Sequence, residues 1–145
     1  MGILRSIAAR LHPLLRRPWA SDDLGRGEIG RIGERIAALT LTARGYKILW
    51  RNFKSSHDGE VDIVSRHRDT LVFSEVKTRT GDSHGRPSEA VTPAKQHLIL
   101  RGAREWLSRL PDPDNVPTRM DVIEVILTPG KKPEVTIIED AFGDE

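Results

Sequence analysis

From Gly25 to Arg44 the apolar positions Ile29, Ile32, Ile36, Leu39 and Ala43 recur in steps of three and four, which predicts a helix. Gly45 follows where a helix commonly ends in a left-handed glycine. The period then shortens. Tyr46 to Asn52, Val61 to Ser65 and Leu71 to Thr78 predict three strands, with the polar stretch Arg66 to Thr70 as a hairpin connection between the last two. Gly81 to Ser88 reads as a polar loop. Thr92 is placed to cap a second helix that opens at Pro93 and runs to about Leu110. That helix is expected to bury Ile99, Ala103, Trp106 and Leu107. Pro111 to Asp114 breaks the chain, and Arg119 to Leu127 and Val135 to Ile138 predict two more strands. The order α-β-β-β-α-β-β implies one α/β domain over residues 25–142, a central mixed sheet flanked by helices.

Two of these strands carry charge inside apolar runs. Asp62 lies in Gly59-Glu60-Val61-Asp62-Ile63-Val64, and Glu75 and Lys77 lie in Leu71 to Arg79. Burying such groups costs several kcal/mol (roughly 2–7 even for an uncharged polar group) unless something compensates. Side chains alternate along a strand, so Glu75, Lys77 and Arg79 share a face with Leu71 and Phe73. A turn centred between Arg68 and Asp69 would set Asp62 directly across from Glu75. Two like charges so placed repel, and a hard divalent cation with oxygen ligands removes the conflict. Asp62 and Glu75 are therefore the expected metal ligands, with the backbone carbonyl of Val76 as a third oxygen. Magnesium or manganese is the expected cofactor, activating a water and neutralising charge on a phosphate. Lys77 would orient the nucleophilic water or stabilise the transition state, unless it serves only as an ion-pair partner of Glu75 or Asp62. A one-residue slip in register would turn one carboxylate to the opposite face.

The chain has 145 residues, no cysteine and a net charge of +2. Absence of cysteine excludes a disulfide framework and a thiolate metal site, and is compatible with a cytoplasmic location. No apolar run is long enough to span a bilayer. Charge is uneven: the first twenty-two residues form a basic, amphipathic or poorly ordered leader, and residues 143–145 end the chain in an acidic tail. His12, His57, His67, His84 and His97 do not form the helical i, i+4 pair of a zinc site. A nucleophile elbow and a phosphate-binding Gly-Lys loop are both missing. Gly25-Arg26-Gly27-Glu28-Ile29-Gly30 matches the dinucleotide-binding glycine spacing, but what precedes it, Pro18 to Asp23, does not read as a buried strand.

These features together resemble the restriction-endonuclease-like superfamily, the PD-(D/E)XK nucleases, and within it the bacterial YraN-like family, which is similar to archaeal Holliday-junction resolvases. The matching residues are Gly30, Gly33-Glu34, Gly45-Tyr46, Arg51-Asn52, Gly59 to Asp62, Phe73 to Lys77 with Arg79, Gly85, Lys95, Arg119, Asp121 and Ala141-Phe142. Val61 stands where the superfamily has proline, Ser74 where the family favours an apolar residue, and His84 where an aromatic is usual. The resemblance implies a metal-dependent DNA endonuclease, with branched or single-stranded DNA as candidate substrates. It also implies that Glu34 joins Asp62, Glu75 and Lys77 in the catalytic set as a further metal ligand; read as a helix-surface residue, Glu34 would instead pair with Arg31 or Arg35. The alternative for the whole chain is a nucleic-acid-binding module that keeps the fold without catalysis. Junction resolution would need a homodimer. Lys95, near a helix N-terminus, Gln96 beside it, and Arg51, Arg79 and Arg86 are the candidate nucleic-acid contacts, the last two expected in the loop after the metal strand. Asp121 is expected to point inward and anchor the sheet.

Overall fold

The computed structural model describes residues 25–81 and 91–143. The leader, Arg86 with most of its loop, and the last two residues lie outside the described residues.

Helix α1 (Arg26–Ala43) is followed by β1 (Lys47–Lys54), β2 (Glu60–His67) and β3 (Thr70–Thr80). Then come α2 (Pro93–Ser108), a short 3-10 turn (Pro113–Asn115), β4 (Thr118–Leu127) and β5 (Glu134–Ile138). The five strands form one sheet in chain order. Only β3 and β4 run parallel, because α2 carries the chain back across the sheet between them. The mixed sheet with a helix on each face is a restriction-endonuclease-like core, as expected.

Local chemistry accounts for most boundaries. Gly45 takes φ +92° just past α1, and the Tyr46 N–H returns to the Leu41 carbonyl. Thr92 Oγ1 accepts from the Lys95 N–H at the start of α2, with Pro93 in the first turn. The β2–β3 hairpin turns on Arg68 at φ +60° and Asp69, pairing His67 with Thr70 and Ile63 with Ser74. The paired register ends at Ile63 and Ser74, and Asp62 and Glu75 are the next residues on the two strands.

Each face of the sheet has its own core. Ile36, Ala37 and Leu41 of α1 pack on Ile63, Val72, Val76 and Ile123. Ile99, Leu100 and Ala103 of α2 pack on Val64, Phe73 and Val122. Trp106 and Leu107 pack against this core but are only partly buried, a correction to the expected full burial, and α2 turns Leu100 and Gly102 inward as well. Glycine decides how closely the helices approach. A Cβ on Gly33 of α1 would overlap the Thr78 side chain of β3. A Cβ on Gly59 would lie 2.8 Å from Gly102 Cα, so α2 crosses the entrance of β2 backbone to backbone.

Candidate metal centre

The β2–β3 ladder ends where the charges begin. Beyond the Ile63–Ser74 pair, the Val76 N–H donates to Asp62 Oδ2 at 2.8 Å. An extended residue directs its N–H and C=O to the same side of the strand, so the Val76 carbonyl also faces the Asp62 edge. Asp62 is partly buried and Glu75 is 3 % exposed. Burial raises the pKa of both, and the neighbouring Asp62 charge helps push Glu75 up to about 8. Lys77 opposes this shift without reversing it. Oε2 of Glu75 is buried with no hydrogen-bond partner. The two carboxyls can bond each other only with a proton between them, and a cation would do the same work without one.

Two ammonium groups stand beside this pair. Lys77 Nζ is 3.6 Å from Glu75 Oε1, and Lys95 Nζ is 3.7 Å from the same oxygen. Lys95 also pairs with Glu60. The close Gly59–Gly102 crossing is what brings the first turn of α2 to this point. Burial lowers the Lys95 pKa.

Glu34 approaches from the other face. Its pKa is raised by burial first and by the Asp62 charge second, while Arg51, the Asn52 amide and Arg31 oppose the shift. Asn52 adopts φ +54° within β1, a conformation asparagine tolerates, and hydrogen-bonds the Glu34 carboxylate. A cavity of about 290 Å³ lined by Arg26, Glu34, Val76 and Thr78 opens beside it. Among the described residues, no group of three or more His, Asp or Glu side chains is arranged to hold a metal ion. Glu34 therefore stands near Asp62 without completing a three-carboxylate cluster.

The remaining candidates separate. Arg51 is exposed beside Glu34. Arg79 is in β3 rather than in the following loop, because the strand runs on to Thr80 against β4; its Nε is 3.9 Å from Glu124. The Gln96 amide donates to the Val91 carbonyl at 3.2 Å and lines a separate cavity of about 530 Å³ with Phe142. That cavity and another of about 270 Å³ near Arg119 do not touch Asp62, Glu75 or Glu34. Asp121 is fully buried on the α1 face and accepts from Arg119 and from the Asp140 N–H, which ties β4 to the chain after β5. Two residues had no role in the sequence reading. Asn52 was seen only as part of a motif. Glu124, 1 % exposed, carried the signal used for Asp62 and Glu75, a charge inside an apolar strand.

All oxygen donors in this set are hard, and one buried carboxylate oxygen lacks a partner, so the donor chemistry of Asp62 and Glu75 suits a hard divalent cation.

Fold and family together place the chain in the restriction-endonuclease-like superfamily. It belongs to the group described as Uncharacterised protein family UPF0102, matched over residues 33–125. It is 44% identical over 124 residues to a UPF0102 protein of Trichlorobacter lovleyi, covering 82% of this chain and 94% of that one. A UPF0102 protein of Syntrophotalea carbinolica is 52% identical over 102 residues, 69% of this chain and 80% of its own length. A third, from Symbiobacterium thermophilum, is 43% identical over 79% of this chain and 95% of its own.

Proposed function

We propose that this protein is a divalent-metal-dependent nuclease that hydrolyses phosphodiester bonds in DNA, with branched or single-stranded DNA as its substrates. The observation that carries the reading is the buried Asp62–Glu75 pair at the end of the β2–β3 ladder with the Lys77 ammonium beside it. Asp62, Glu75 and the Val76 carbonyl would hold magnesium or manganese, and Glu34 would act as an outer carboxylate. The bound ion would supply Lewis-acid activation of water and neutralise charge on the phosphate. Lys77 is partly exposed and fixed by Glu75, so it can hold a water or a phosphate oxygen at the same edge. Asn52 holds Glu34 in place, and Lys95 compensates the charge of Glu60 and Glu75.

One observation favours a second reading, a nucleic-acid-binding module without catalysis: Lys77 and Lys95 already provide charge compensation to Glu75. Turnover separates the two. Purified protein is expected to cut DNA from a panel of linear, single-stranded, flapped and four-way substrates with magnesium or manganese and not with EDTA. Binding without cutting under every ion would leave the second reading.

A further inference from the structure

We propose that Glu124 is a positioning residue that braces Arg79 so that its guanidinium meets a phosphate about two steps along the strand from the one gripped at Asp62 and Glu75. This rests on the nuclease reading and extends it to how the substrate strand lies. β4 runs parallel to β3 with Lys77 beside Glu124 and Arg79 beside Ile126. Glu75, Lys77, Arg79 and Glu124 therefore project from the same face, the one that carries Phe73 and Val122.

Glu124 is out of place as a packing residue. It is 1 % exposed, and Oε2 has no hydrogen-bond partner. Among the described residues its ion-pair contact is Arg79 Nε to Oε1 at 3.9 Å. A buried carboxylate held so loosely is costly, and valine or isoleucine, as at Val122 and Ile126, would satisfy the sheet better. Lys77 does not explain it, since that ammonium is engaged by Glu75.

Arg79 explains it. The guanidinium turns its Nε edge toward Glu124 and has no other ion pair or hydrogen bond among the described residues. Its terminal nitrogens form the planar fork that suits a phosphate. Arg79 lies four residues beyond Glu75 on β3, an advance of about 13 Å, comparable to two steps of a sugar–phosphate backbone. A strand bound at the carboxylate pair and running along β3 would present the phosphate two steps on to Arg79. Fixing the side chain from behind lowers the ordering cost of that contact.

The test measures binding of a fluorescein-labelled single strand and a labelled four-way junction, in calcium, across a salt series. Wild type is compared with Arg79→Ala, Glu124→Ala, Glu124→Gln and the Arg79→Ala/Glu124→Ala double variant. Arg79→Ala is expected to flatten the slope of log affinity against log salt by about 1. Glu124→Ala should weaken binding in the same direction and add nothing in the Arg79→Ala background. In cleavage with magnesium its loss should fall on KM more than on kcat. Glu124→Gln keeps an oxygen acceptor and should lie between wild type and Glu124→Ala. If Glu124→Ala does not fold, the Gln variant alone decides. Binding by Glu124→Gln equal to or tighter than wild type would mark a bystander charge and overturn the proposal, as would additive effects with Arg79→Ala. Failure of wild type to bind or cut any of these DNAs would remove the nuclease reading itself.

Discussion

Asp62 Oδ2 accepts the Val76 N–H at 2.8 Å, so a side chain of β2 occupies the place of a ladder carbonyl on the edge of β3. The substitution opens the sheet there and turns the Val76 carbonyl toward an acidic pair. Asp62→Asn keeps an acceptor for that N–H while removing the charge. It should fold with a melting temperature near that of wild type, and cutting with magnesium should fall by about 10²-fold or more. Gel assays on identically purified proteins check this. Equal cutting by the variant would mean that the activity lies elsewhere.

The Glu75 carboxyl supplies a pH signature. Its pKa is about 4.5 when the chain is unfolded and about 8 when folded. Between those values the native state holds a proton that the unfolded chain has released. Its contribution to stability is therefore full below about pH 4.5 and is lost as pH rises through about 8. In EDTA, the melting temperature should fall across this window, and Glu75→Gln should flatten the fall. A rising curve would reverse the assignment.

The helix approach at Gly33 makes a packing prediction. Any Cβ there overlaps Thr78, which branches at Cβ and cannot swing away. Gly33→Ala should cost about 1–3 kcal/mol in denaturant unfolding, the usual range for overpacking. Because Glu34 is the next residue, activity should fall as well. Gly30→Ala, where a Cβ meets nothing within 4 Å, is the control and should leave unfolding unchanged or improved.

Ser74 offers the opposite sign. Its hydroxyl is fully buried without a partner, at a position where an apolar side chain would pack against the α1 face. Ser74→Ala should stabilise by about 1 kcal/mol, the order of one unpaired buried hydroxyl. Ser74 points away from Glu75, so cleavage should not change with it.

Much of this was legible before any coordinates. The hairpin register up to Ile63 and Ser74, which brings Asp62 near Glu75, followed from a two-residue turn at Arg68-Asp69, because each residue of hairpin length fixes which side chains meet. The caps at Gly45 and Thr92 were visible because each has one local cause. What escaped depended on non-local packing. Nothing local shows that α2 crosses β2 at Gly59 and Gly102, and that crossing is what delivers Lys95 to Glu75. The end of β3 was misplaced because Arg79 and Thr80 look like loop residues until β4 pairs with them. Glu124 showed the same charge-in-strand pattern as Glu75, but lacked a hairpin partner to single it out.

The central claim is that Asp62 and Glu75 together grip one divalent cation. Calorimetric titration of manganese into the wild type, Asp62→Asn and Glu75→Gln tests it most directly. One site in wild type, lost or greatly weakened in both variants and tighter at higher pH as the shared proton leaves, is the predicted result. The same heat from all three proteins, or none from wild type, would contradict it.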